Sequence, residues 1–259
     1  MIGNGTSAFD IARDIHKHAK TIYNSVREST HQFDEKYLKL REELAKFLPK
    51  KVQRVAHVKE FKEHQTKKDI QDAVVELVDG TKITDLDYVI ICTGYLFSFH
   101  FLEDLHDDEE VSPKRKFNVD QERVLVKDGS QVFNLHKDIF YIPNPTLSFV
   151  GIPFHIATFS LFEFQSYAVA RVYSGAAKLP EEKAMRAEWY ERAHRKGLGR
   201  EFHALGSELE LTYIKDIVQW LNEDGKALKK PTITEHDEEW INIRNNSLAA
   251  LKKSLNITD

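Results

Sequence analysis

Apolar residues along this chain recur with more than one period. Ala8, Ile11, Ala12, Ile15 and Ala19 fall at helical spacing and predict an amphipathic helix over 7–20. Residues 21–25, Thr-Ile-Tyr-Asn-Ser, read as a short strand. Residues 34–48 are charged, with Leu38, Leu40, Leu44, Phe47 and Leu48 as apolar positions, and predict a surface helix that Pro49 ends. Residues 52–58 alternate apolar and polar, as a half-buried strand does. Residues 73–78, the turn Asp79-Gly80 and residues 81–84 predict a hairpin. The run Val89-Ile90-Ile91-Cys92 into Thr93-Gly94-Tyr95 reads as a fully buried parallel strand ending in a glycine turn.

Beyond Tyr95 the pattern changes. Phe97, Phe99 and Phe101 alternate, and the acidic run 103–110 reads as a solvated loop without the spacing of a calcium site. A second hairpin is predicted from 123–126, the turn Asp128-Gly129 and 132–135. Two buried strands follow at 138–142 and 147–152, with Pro143 and Pro145 in their connection. Residues 156–177 are apolar nearly all round, which predicts a helix buried at the centre of the fold. The tail is helical. Pro180, Glu181 and Glu182 open a helix, and stripes follow at Met185 and Trp189, at Ile214, Ile217, Val218 and Leu221, and at Trp240, Ile243, Leu248, Leu251 and Leu255.

Composition narrows the chemistry. The 259 residues suffice for one large domain or two small ones, and 41% hydrophobic residues with 16 Phe supply a core. A net charge of −4 weighs against a nucleic-acid binder, and Lys50-Lys51 and Lys67-Lys68 read as solvated faces. One cysteine, Cys92, excludes an internal disulfide and fits a reducing compartment, so a cytoplasmic location is expected. The apolar stretch 149–162 is too short to span a bilayer, and no secretory signal is read. None of the 12 histidines stands near a second ligand at zinc spacing, and no G-x-S-x-G elbow occurs. Neither catalytic residues nor a metal site are assigned, so any chemistry must come from a cofactor.

The cofactor signal lies at the start of the chain. Gly3, Asn4, Gly5, Thr6 and Ser7 form a glycine-rich turn before a helix, and Ala8 is the small residue that lets the helix pack on a sheet. Gly3 and Gly5 are expected at positive φ, close to a pyrophosphate at the helix N-terminus. About 20 residues on, where an NAD site offers a carboxylate, the chain offers Ser25-Val26-Arg27. A hydroxyl and a guanidinium suit a 2′-phosphate, hence NADP(H).

These motifs resemble the flavin-containing monooxygenases that use FAD and NADPH. The opening G-N-G-T-S-A-F-D-I-A resembles their NADPH fingerprint, Ser25-Val26-Arg27 their S-x-R, and Cys92-Thr93-Gly94-Tyr95 their [AC]-T-G-Y segment. Residues 139–142, 147–151 and 162–165 also fit, so the resemblance runs to about residue 175. It implies an α/β protein of two nested, Rossmann-like dinucleotide-binding domains, N-terminally truncated, with a helical tail. Residues 1–92 would form the NADPH-binding domain without its first strand, and 93–259 the returning part of an FAD domain. Gly3, Asn4, Gly5, Thr6, Ser7, Ser25, Arg27, Thr93, Gly94 and Gln165 would touch cofactor, with His155 and Thr158 as further polar candidates near the flavin. In the family NADPH reduces FAD, dioxygen gives a flavin hydroperoxide, and one oxygen atom passes to a soft nitrogen or sulfur nucleophile. The implied partners are a small-molecule substrate and dioxygen, with a homo-oligomer left open.

The family's N-terminal FAD turn, G-x-G-x-x-G, is absent from this sequence. The expectation is therefore a chain that is unstable or inactive alone, its parallel sheet lacking a central member. The alternatives are a non-catalytic nucleotide-binding or interaction remnant, and a Baeyer–Villiger or N-hydroxylating flavoprotein.

Overall fold

Strand β1 (Ile22–Ser25) runs parallel to β2 (Val52–Val55), with Ile22 opposite Val52 and Ser25 opposite Val55. On the other side of β1 stands Ile2, which bridges in parallel to both Ser25 and Ile91. The Ser25 amide donates to Met1 O at 2.9 Å and the Gly3 amide to Ser25 O at 3.0 Å. The Ile2 amide donates to Ile90 O at 2.9 Å, and the Cys92 amide to Ile2 O at 2.7 Å. Two residues thus occupy the central line that the sequence leaves vacant, and they pair with both neighbours. The computed structural model from which this follows describes residues 1–27, 43, 45, 46, 48–62, 73–107 and 122–254. The charged helix expected at 34–48 lies almost wholly outside the described residues, as do Lys67-Lys68 and the end of the acidic run.

The chain divides by packing into two units. The first holds Met1–Tyr95 with the C-terminal end from Leu248, and the second holds Leu96–Ser247. Within the first, helix α1 (Thr6–Ile15) is shorter than its periodicity suggests and buries Ala8 and Ala12. The expected strand over 52–58 is two strands. β2 ends at Val55, and β3 (Val58–Lys62) joins β4 (Val74–Leu77) and β5 (Lys82–Ile83) in an antiparallel sheet. Val75, Leu77 and Ile83 form its small core. The buried strand expected over 89–95 is reduced to the bridge at Ile91. Cys92 is buried and Ile91 is 64% exposed, and among the described residues Ile91 pairs with Ile2 alone.

In the second unit Val124, Leu125 and Val126 are fully buried. The hairpin expected at 123–135 has no strand ladder; the Phe133 amide reaches Leu125 O at 2.8 Å, and Asp128 accepts from the Ser130 amide at 2.9 Å. The next turn is tighter. β6 (Leu135–His136) and β7 (Phe140–Tyr141) are joined through Lys137 and Asp138, both at positive φ (51° and 55°). Two left-handed residues in succession are the signature of a type I′ turn. The expected strand over 147–152 contributes one antiparallel bridge, Ser148 to Phe140.

Helices dominate the rest: α2 (Thr158–Tyr173), α3 (Glu182–Lys196), α4 (Gly206–Gly225), α5 (Glu238–Asn245) and α6 (Ser247–Ser254). α2 and α4 pack together through Leu161, Phe164, Ile214 and Val218, and through Ala168, Ile217 and Leu221 against Ile139 and Phe140. α2 is not buried all round. Only one face is covered, and Phe159 is 87% exposed. The architecture is mixed α/β with a helical C-terminal region. Among the described residues no helix is long and apolar enough to cross a membrane.

Candidate functional site

The glycine-rich turn is shaped by what cannot fit beside it. Gly3 has φ +115°, and a Cβ there would lie 2.2 Å from Cys92 O. Any other residue would meet both a backbone clash and a disfavoured conformation. Gly5 differs from expectation: its φ is −97°, in the extended region. Neither its conformation nor its surroundings demand a glycine, since a Cβ there meets nothing within 4 Å. That empty space opens at the N-terminus of α1, which has no side-chain cap and no acidic residue in its first turn. Gly5, Thr6 and Ser7 are exposed there. Uncapped N–H groups and the positive end of the helix dipole favour an anion at this place.

Asn24 was not among the residues singled out by sequence, and it holds this turn from behind. Its Nδ2 donates to Gly3 O at 2.7 Å, and the residue is 1% exposed. Its Oδ1 is buried without a protein partner. A polar amide inside a strand is disfavoured unless it has a task, and that was the available signal. Ser25, one residue on, is also buried. Its hydroxyl donates to Ala56 O at 3.1 Å and accepts from the Val58 amide at 3.0 Å. It fixes the point where the chain passes from the parallel to the antiparallel sheet. Arg27 is exposed and has no hydrogen-bond or ion-pair partner among the described residues. Asn4 is half-buried, and Thr93 and Gly94 are exposed directly after Cys92, with Gly94 at φ +85°.

Gln165 lies in the second unit and is completely buried. Its Oε1 accepts from the Gly151 amide at 2.8 Å, and its Nε2 donates to Tyr213 Oη at 2.8 Å. The Tyr213 hydroxyl donates in turn to Lys137 O at 2.6 Å. Gly151 has φ +98°, and a Cβ there would press into the Phe162 ring at 2.7 Å. Gln165 therefore shapes the loop that leads into α2. His155 in that loop has φ +59°, a left-handed conformation uncommon outside glycine, and Thr158 is exposed at the first position of α2.

The type I′ turn is anchored by charge. Arg192 grips the fully buried Asp138 with two bonds of 2.8 and 2.7 Å, and His203 Nδ1 lies 2.9 Å from Asp138 Oδ1. Burial alone would raise the Asp138 carboxyl, but His203 and Arg192 together hold it well below the usual carboxylate range. The Arg192 guanidinium also covers the Phe202 ring at 4.5 Å.

The first unit thus holds a glycine turn before an uncapped helix end, and the second a strained loop that leads into another helix, within a mixed α/β protein. Residues 32–229 match the family described as flavin-binding monooxygenase-like. The chain belongs to that family. It is similar to the flavin-containing monooxygenase ustF2 of Aspergillus flavus, 38% identical over 93% of this chain and 47% of that protein. It is also similar to the thiol-specific monooxygenase of Saccharomyces cerevisiae, 30% identical over 67% of this chain and 34% of that one. Among solved structures it resembles S-allyl-L-cysteine S-oxygenase from Allium sativum, with a TM-score of 0.59 and 25% identity over 98% of this chain and 48% of that one. The chain spans about half the length of the curated relatives it matches.

Proposed function

We propose that this chain carries the NADP(H) site and part of the FAD site of a monooxygenase that oxygenates a soft sulfur or nitrogen centre. The observation that carries the reading is the turn at Gly3 to Ser7, with a glycine that no Cβ could replace and a helix end left open to an anion. In this reading residues 1–92 and 93–259 belong to two nested dinucleotide-binding domains. Gly3, Asn4, Gly5, Thr6 and Ser7 would line the pyrophosphate. Arg27 would take the 2′-phosphate, and Ser25 would hold the strand end from which Arg27 projects. Thr93 and Gly94 would border the cofactor at the passage between domains.

The residues present also suit a flavin beside the loop 151–157. The N-terminus of α2 has neither a side-chain cap nor a first-turn acid, and exposed Phe159 offers an apolar face to a flat ring. A bound flavin would supply the redox chemistry with dioxygen. The protein's own part is to bind, orient and keep water away, with Gln165 acting through Gly151. A sulfur substrate is favoured by the Allium and yeast relatives, whose names specify S-oxygenation and thiols. A cytoplasmic location and a homo-oligomer belong to the same reading.

The test is a fluorescence titration of the chain with NADPH and NADH, before and after Arg27→Ala. Loss of a charge-assisted bond to phosphate should weaken NADPH about tenfold or more and leave NADH unchanged. Equal affinity of the unaltered chain for the two nucleotides would overturn the assignment of Arg27. NADPH binding without flavin uptake would select the alternative of a nucleotide-binding protein without oxygenase chemistry.

A further inference from the structure

Seven residues, 151–157, join the short strands of the second unit to α2. They leave regular structure twice, at Gly151 and at His155, and the second departure is strained for a residue with a side chain. Such a conformation persists only where the surroundings impose it. The loop is gripped at three points. At its start, the Gly151 amide donates to Gln165, which is itself held by Tyr213. At its middle, the Phe154 amide donates to His203 O at 3.3 Å and the Leu205 amide to Phe154 O at 3.2 Å. At its end, the Ala157 amide donates to Glu210 Oε1 at 2.7 Å.

Both outer grips depend on one helix, α4: Glu210 holds Ala157 directly, and Tyr213 braces the Gln165 that holds Gly151. Glu210 and Tyr213 are three residues apart on α4, so they share a face. Each is braced from behind. Glu210 is 1% exposed, and its other oxygen accepts from Arg244 Nη2 at 2.9 Å. Tyr213 gives its proton to Lys137 O, so it can only accept from Gln165. That in turn fixes the Gln165 amide with its oxygen toward Gly151, since a backbone N–H cannot accept. The donations run in a single consistent direction, from the Gly151 amide in the loop to Lys137 O in the turn.

We propose that Glu210 and Tyr213 are positioning residues that preorganise the loop 151–157 for the flavin. The inference rests on the reading that this loop faces the flavin ring. A loop already held in its bound shape loses less conformational entropy on binding, so loosening it should weaken the flavin and spare the nucleotide at α1.

Hydrogen exchange on the full chain tests the grips without any cofactor. In the unaltered chain the amides of Gly151 and Ala157 should be protected, and rapid exchange at both would overturn the proposal. Tyr213→Phe keeps the ring and should speed exchange at Gly151 about tenfold. Glu210→Ala should do the same at Ala157, with Glu210→Gln restoring protection, because the amide oxygen still accepts. Titration with FAD, followed by protein fluorescence, should show about fivefold weaker binding in Tyr213→Phe with NADPH affinity unchanged. Unchanged exchange at Gly151, or a lower melting temperature with FAD affinity intact, would overturn the positioning role. If the unaltered chain takes up no FAD, the proposed oxygenase reading fails for this chain, and the exchange rates alone decide whether α4 sets the loop.

Discussion

Two loops in this protein each open a helix, and they are held in opposite ways. The turn before α1 is fixed almost entirely by backbone. Gly3 fits because it lacks a side chain, its amide joins the ladder at Ser25, and one amide side chain, Asn24, supports it. The loop before α2 is fixed by the side chains of Gln165, Tyr213 and Glu210 and by the backbone carbonyl of His203. Glu210, Gln165, Tyr213 and His203 each supply or brace a bond to it. The first kind of site is cheap in residues and intolerant of a single methyl group. The second distributes its support, so one loss loosens it without abolishing it.

The largest effect is expected at the type I′ turn, whose Asp138 also holds the His203 that lends its carbonyl to the second loop. Asp138→Asn leaves half-buried Arg192 without its anion and frees His203, and should cost about 3 kcal/mol. Denaturant unfolding measures this, and a loss below 1 kcal/mol would mean that the pair is not what holds the turn. The same pair predicts a pH dependence. The folded pKa of Asp138 lies below its unfolded value, so the stabilisation is complete above about pH 4 and disappears as pH falls further. The difference in stability between the unaltered chain and Asp138→Asn should therefore narrow on acidification below that point.

Gly3→Ala comes next. A Cβ 2.2 Å from Cys92 O at φ +115° must displace backbone, at a cost of about 2–4 kcal/mol. It should lower the melting temperature and remove NADPH binding together. Gly5→Ala sharpens the contrast. With φ −97° and open space around the new methyl, the melting temperature should hardly move, while NADPH affinity falls because the methyl occupies the anion's place. A clear loss of stability in Gly5→Ala would break the distinction between a glycine that the backbone demands and one that it does not.

The same contrast explains what could be read in advance. Strand β1, the hairpin of β4 and β5, and helices α3 and α4 rest on residues close in sequence, so spacing alone reveals them, and the turn at Gly3 carries its own glycine motif. The strand expected at 89–95 did not form as such, because an apolar run specifies burial but not a partner, and among the described residues only Ile2 pairs with Ile91. α2 was expected to be buried all round, yet Phe159, Glu163 and Ser166 face solvent; a helix rich in aromatics can cover one face and expose the other. Of the side chains that hold the second loop, Gln165 alone was singled out in the sequence, through a family motif and as a cofactor contact, while His155 and Thr158 were named on the loop and helix start themselves. Glu210, Tyr213 and His203 carry no local signal, since their tasks depend on partners 48 to 76 residues away.

That separation also has a consequence in time. Ala157 and its grip at Glu210 are 53 residues apart. At a synthesis rate of about 5–20 residues per second, roughly three to ten seconds pass between the two leaving the peptidyl-transferase centre. During that interval the nascent loop has its strained residue but not its support. The turn before α1 has Asn24 close by and its other partners by Cys92. It can thus set while residues 151–210 are still being made, and the loop before α2 sets later.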